Sequence, residues 1–229
     1  MTNYIVCLCH FCELHGPSII ICTQLTTKDK KQDYLLQSNS KTTTNSCSSC
    51  QLILPENVIN LSTTVTTPKN ETQEFISTQY PTSQKRYAAL TKLVMKSLSI
   101  ETNLDLTKPN FFGDNINGFC INKIFKIYDV NSRGLERKYG LMLISDNEIH
   151  LLQNWDIITL YFNEYIYQLQ LKINETNEKN YAKTENSNNE KYLRRSMIRP
   201  KSLIELTNDE QIFVKFHLWA IEVLKDAIR

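Results

Sequence analysis

The sequence predicts an α+β domain: one antiparallel sheet of five strands covered by helices, in the order β-β-α-β-β-β-α-α. Three observations carry this. Two runs rich in β-branched, aromatic and thiol side chains flank a Gly-Pro turn near the start. Three more such runs follow one another after residue 117, separated by short turns. Between and after them lie segments whose apolar residues recur at helical spacing.

Residues 3–13, NYIVCLCHFCE, and 18–24, SIIICTQ, read as a hairpin around Leu14-His15-Gly16-Pro17. Residues 26–73 then turn to Ser, Thr, Asn, Lys and Gln with only short apolar islands, and read as a disordered insertion. Pro81-Thr82-Ser83 is a helix start signal. Tyr87, Leu90, Val94 and Leu98 form one face of a helix over 82–98, while Lys85, Lys92 and Lys96 line another. A connector containing Phe111-Phe112-Gly113-Asp114 leads to GFCINKIFKIYDV (118–130), YGLMLIS (139–145) and EIHLLQ (148–153), read as three antiparallel strands. Asn154 is placed to cap a helix from Trp155 to about Asn174, with Ile158, Phe162, Tyr165, Leu169 and Ile173 as its buried stripe. Residues 175–200 are polar, and 178–200 reads as a mobile basic loop. Thr207-x-x-Glu210 has the form of a capping box opening a last helix with Phe213, Phe216, Ala220, Val223 and Ala227 on one side. The whole of 1–229 thus reads as a single domain with two polar excursions.

Composition excludes several functions. A net charge of +2 gives no basic footprint for nucleic acid. No apolar run approaches the roughly 20 residues a bilayer-crossing helix takes, and the N-terminus lacks a positive leader. There are five glycines, and none sits at the spacing of a phosphate-cradling loop, so no nucleotide cofactor is expected. Seven irregularly spaced cysteines read as reduced thiols of a cytoplasmic protein.

The stretch Cys9 to Pro17, CHFCELHGP, invites a metal reading. On a regular strand Cys7, Cys9 and Phe11 share one face while Leu8, His10 and Cys12 share the other, so Cys9 and Cys12 point apart. His15 lies in the turn. Cys47-Ser48-Ser49-Cys50 is the better C-x-x-C because it lies in a loop. Cys47 and Cys50 need two further ligands, which Cys120, Cys22 or the N-terminal cysteines could supply only through tertiary contact, and no second pair at zinc spacing follows. The sequence therefore favours buried or incidental thiols, with Cys47 and Cys50 the weak metal candidates. A thiol protease is not supported, since no Asn or Asp is placed to orient a base.

CHFCELHGP (9–17), FFGD (111–114), GF (118–119), SRGLERKY (132–139) and IHLLQNW (149–155) stand in the order found in the folliculin family. The sequence resembles the N-terminal longin domain of that family, and most of all its short fungal members. Larger members continue into a DENN domain; this sequence ends after the last helix of the longin pattern. The residue after the Arg-Gly pair, aromatic in the family, is Leu135 here. The resemblance implies pairing with a folliculin-interacting-protein-like longin/DENN subunit. The pair would activate GTP hydrolysis by the C/D-type member of a Rag-type GTPase heterodimer. The resemblance also implies recruitment to the vacuole membrane through partners, in amino-acid signalling to the growth kinase complex, and a link to amino-acid permease sorting. By spacing alone Arg133 is one surface arginine among many. The resemblance singles it out as an arginine finger projecting from the turn Asn131-Ser132-Arg133-Gly134, with Arg137 as the alternative. A non-catalytic longin scaffold whose partner supplies the chemistry is the competing reading. Ser196, beside Arg194 and Arg195, is the phosphorylation candidate.

Overall fold

In the computed structural model, described for residues 4–37, 47–67, 72–99, 105–129, 131–184 and 199–227, a single seven-stranded sheet runs through the molecule. Its strands are β1 (Tyr4–Cys12), β2 (Gly16–Thr27), β3 (Leu61–Thr66), β4 (Thr72–Thr78), β5 (Asn110–Asp114), β6 (Gly118–Tyr128) and β7 (Glu136–Ser145). They lie in the order β3-β4-β2-β1-β7-β6-β5, and every pairing is antiparallel. The α+β class holds, with seven strands where the sequence predicts five.

Alternation along β1 divides the core in two, as the pleat requires. Ile5, Cys7 and Cys9 face helix α1 (Gln84–Leu98), where Leu90, Leu93, Val94 and Leu98 meet them. Tyr4, Val6 and Leu8 face the opposite layer, built from α3 (Trp155–Thr184), α4 (Leu203–Thr207) and α5 (Ile212–Ala227). The stripe expected on α3 is present: Ile158, Phe162, Leu169 and Ile173 are buried and Tyr165 packs against them. Asp209, between α4 and α5, takes ion pairs from Lys172 and from Lys215, the latter at 2.7 Å, and so ties α5 to α3.

Five expectations need correction. Residues 148–153 form a helix, α2 (Glu148–Gln153), because the Asn147 side chain accepts from the His150 N–H at 3.1 Å and supplies an N-cap. Asn154 closes α2 rather than opening α3 with its side chain: its Nδ2 donates to the His150 carbonyl at 2.9 Å. The capping box lies at Ser202 and Glu205, opening α4, and Thr207 ends that helix instead of starting the next. The fourth correction concerns 26–73. Its described parts carry the end of β2, a 3-10 turn at Lys28–Tyr34, the whole of β3 and the first residues of β4. Glu74 explains much of this. Its buried carboxylate accepts from Thr64 at 2.7 Å and pairs with Lys31 at 3.0 Å, so one charge on β4 anchors both β3 and the 3-10 turn. FFGD, read as connector, is strand β5 at the far edge of the sheet. The expected mobile loop 178–200 begins with the last turns of α3, up to Thr184; residues 185–198, including Arg194, Arg195 and Ser196, lie outside the described residues.

Candidate functional site

Two features meet at one end of the sheet. The first is the β6–β7 connection, residues 129–135. Asp129 organises it: its carboxylate accepts the Asn131 N–H at 3.0 Å and its carbonyl accepts the Ser132 N–H at 3.0 Å and hydroxyl at 2.8 Å. The Asp129 N–H in turn donates to the Leu135 carbonyl at 2.9 Å, closing the loop. Arg133, Gly134 and Leu135 form a single 3-10 turn. Gly134 has φ of 71° and Leu135 φ of 62°, both in the left-handed region. At Gly134 that is cheap; at Leu135 it costs about 1 kcal/mol or more, held in place by the hydrogen bonds around it. The Arg133 backbone therefore sits at the tip of a cross-braced turn.

Arg137 is placed differently. It lies on β7, and along one extended strand it would face the same side as Arg133. The 3-10 turn breaks that strand. The Arg137 guanidinium is buried beneath the loop, paired with Asp129 at 2.5 Å and donating to the Lys201 carbonyl at 2.7 Å. Its donors are directed into the protein, which suits a brace under the turn.

The second feature is a thiol–imidazole cluster. Cys12 ends β1, His15 ends the turn into β2, and Cys47 and Cys50 bracket a turn closed by the Cys50 N–H on the Cys47 carbonyl at 2.9 Å. Sγ of Cys12, Cys47 and Cys50 and Nδ1 of His15 all lie within 4.8 Å of one another. Cys9 faces the other side of the sheet, as the alternation predicts, and takes no part. The Cys12 thiol is held well below the ordinary thiol range, at about 3, by the hydrogen bond from the Cys50 thiol, with the Leu14 and His15 N–H groups adding to it against burial. The same contact pushes Cys50 up. The thiols on the α1 side behave in the opposite way: burial drives Cys22 up to about 12 and raises Cys7 and Cys120. The seven cysteines, all free, thus fall into a group of inert core thiols and a group of three collected around one imidazole.

The two features share a groove of about 490 Å³, bordered by Cys12 and Ser49 on one side and by Asn131, Ser132 and Arg137 on the other. The segment at 200–201 stitches them together: Ser48 Oγ donates to the Pro200 carbonyl at 2.8 Å, and Arg137 holds the carbonyl of Lys201. The sequence leaves the partners of Cys47 and Cys50 open among Cys120, Cys22 and the N-terminal cysteines; the structure brings in Cys12, with His15. The missing signal was Cys12-x-x-His15, a mixed pair lying in a turn.

The family model for folliculin, described as a vesicle coat protein involved in Golgi to plasma membrane transport, matches residues 73–227. The chain belongs to the folliculin family. Among its curated relatives, Protein LST7 of Saccharomyces cerevisiae is 33% identical over 96% of this chain and 94% of that protein. Folliculin of Homo sapiens is 24% identical over 94% of this chain but only 44% of its own length, so the chain spans less than half of that relative. Folliculin-like protein bhd1 of Schizosaccharomyces pombe is 28% identical over 59% of this chain and 39% of its own. The β6–β7 turn lies within the family-matched range; all four cluster residues precede it. Among the described residues no helix is long and apolar enough to cross a membrane.

Proposed function

We propose that this folliculin-family chain is a longin-type subunit of a heterodimeric GTPase-activating complex, with Arg133 as its arginine finger. The partner is a folliculin-interacting-protein-like subunit with its own longin domain. The substrate is a Rag-type GTPase heterodimer, acted on at its C/D-type member, and both partner and substrate bring the chain to the vacuole membrane. The observation that carries this reading is the braced β6–β7 turn. A finger must reach into another protein's site without paying to order itself, and the Asp129 knot with the buried Arg137 beneath it supplies that stiffness. Guanidinium is the group for the task because it is permanently charged and forks onto phosphoryl oxygens. Arg137, committed to Asp129 and Lys201, serves as the positioning residue.

The deciding experiment measures GTP hydrolysis by a purified Rag-type heterodimer with this chain and its partner subunit, added together and separately. Stimulation only by the pair, lost in Arg133→Ala while the complex still forms, is the expected result. Full stimulation by the Arg133→Ala pair would leave the scaffold reading in possession. That second reading, a trafficking adaptor whose partner carries the chemistry, has support of its own in the transport role by which the family model is described.

A further inference from the structure

We infer that Cys12, His15, Cys47 and Cys50 form a structural zinc site, with three thiolates and the Nδ1 of one imidazole as ligands. The inference is independent of the GTPase reading.

Geometry comes first. The Cys12–Cys47 and Cys47–Cys50 sulfurs are 3.5 and 3.6 Å apart, and His15 Nδ1 lies 3.6 Å from Cys12 and 3.5 Å from Cys50. A tetrahedron with Zn–S of about 2.3 Å and Zn–N of about 2.0–2.1 Å has edges of about 3.8 Å between sulfurs and about 3.6 Å between sulfur and nitrogen. The four atoms therefore already stand close to the corners of a zinc tetrahedron. The ligands come as a C-x-x-H and a C-x-x-C, each in a turn, which is the paired arrangement structural zinc uses. Four protein ligands fill the tetrahedron and leave no open position for substrate, so the role is structural.

The surroundings fit a thiolate-bound cation. The Leu14 N–H donates to Cys12 Sγ at 3.4 Å, as amides do toward metal-bound thiolates. Ser49 Oγ lies 3.0 Å from Cys47 Sγ and 3.8 Å from Cys12 Sγ. His10, its ring tilted against that of Tyr139, points Nε2 at Cys50 Sγ from 3.3 Å, and Gln79 holds the Cys50 carbonyl at 3.0 Å. Without a cation, three sulfurs and an imidazole crowd one small volume; weak S–H donors alone give little reason for Cys47–Cys50 to leave its own loop and meet the end of β1. Metal would pin that segment across the β1–β2 hairpin and, through Ser48 and Pro200, fix the wall of the groove facing the Arg133 turn.

The test uses the full chain purified under reducing conditions without chelator. Elemental analysis is expected to find about one zinc per chain. Cys47→Ser with Cys50→Ser should lose that zinc, whereas Cys9→Ala, whose thiol lies on the other face of the sheet, should keep it. Since the double variant could fail to fold, wild-type chain refolded with cobalt supplies an independent reading: the intense visible bands of tetrahedral cobalt–thiolate coordination are expected, displaced by added zinc. Metal-free wild-type chain that is folded, with no cobalt bands, overturns the inference. So does a Cys47–Cys50 disulfide in the native chain, seen as a mass lower by two hydrogens, or equal zinc in wild type and the double variant.

Discussion

Arg137 and Asp129 form an ion pair at 2.5 Å directly beneath the turn that joins β6 to β7, with only 7% and 1% of their side chains open to solvent. Such a pair is nearly neutral when intact but costly to halve, because the survivor is left as an uncompensated buried charge. Arg137→Ala and Asp129→Ala should each destabilise the chain by about 3–5 kcal/mol. Replacing both, as Asp129→Ala with Arg137→Met, should recover a large part of that loss. Chemical denaturation of the three variants checks the cycle; simple additivity would mean that the two residues are not coupled.

Arg133→Ala should leave the denaturation midpoint where it is, since the turn is braced through Asp129, Asn131, Ser132 and Leu135, while abolishing stimulation of GTP hydrolysis by the paired complex. Arginine fingers contribute about 10³–10⁵ in rate, so a fall of at least about a hundredfold is expected. Arg133→Lys keeps the charge but not the fork and should recover little. A lysine variant as active as wild type would reduce the role to simple charge.

Gly140→Ala should cost about 1–3 kcal/mol by overpacking. An added Cβ would stand 3.1 Å from Cys9 Sγ and 3.4 Å from Asn122 Oδ1, where α1 presses on β7. Cys9→Ala in the same chain removes the nearer obstruction, so the double variant should be more stable than the sum of the single changes. Thermal melts of the four chains supply the comparison.

His217 sets a pH dependence. Buried between the hydroxyls of Thr63 at 2.9 Å and Ser77 at 2.7 Å, it is lowered by burial from 6.5 to about 4. Between those values the unfolded chain binds the extra proton and the folded chain does not. The contribution of neutral His217 is therefore complete above pH 6.5 and is lost as pH falls toward 4, an effect of up to about 3 kcal/mol. Stability followed by denaturant titration should decline over that window in wild type and decline less in His217→Phe. Parallel curves would assign the loss to other groups.

The periodic elements were legible. Cys7 and Cys9 alternating with Leu8 and His10 announced β1 and its two faces, and the i, i+4 stripe from Ile158 to Ile173 announced α3. What escaped was written in threonine or in long-range contact. β3, LSTTVT, alternates correctly, but only Leu61 and Val65 are apolar; its place is secured by Glu74 and His217, residues that local reading cannot bring to it. Residues 148–153 offer apolar positions that suit either period, and the Asn147 cap decided for helix. The cluster was hidden for a related reason. A search for two cysteine pairs passes over Cys12-x-x-His15, and only the turn after β1 and the tertiary path of 47–50 unite the four residues.

The strand that begins the chain is also the one at the middle of the sheet, hydrogen-bonded to β2 on one side and, through pairs such as His10 with Tyr139, to β7 on the other. During synthesis β2 follows at once, but β7 emerges only after β3, β4, α1, β5 and β6 have been made. Until then the nascent chain carries its most apolar, thiol-rich strand with one bare edge, an exposure that ends when residues 136–145 leave the ribosome and the sheet closes around it.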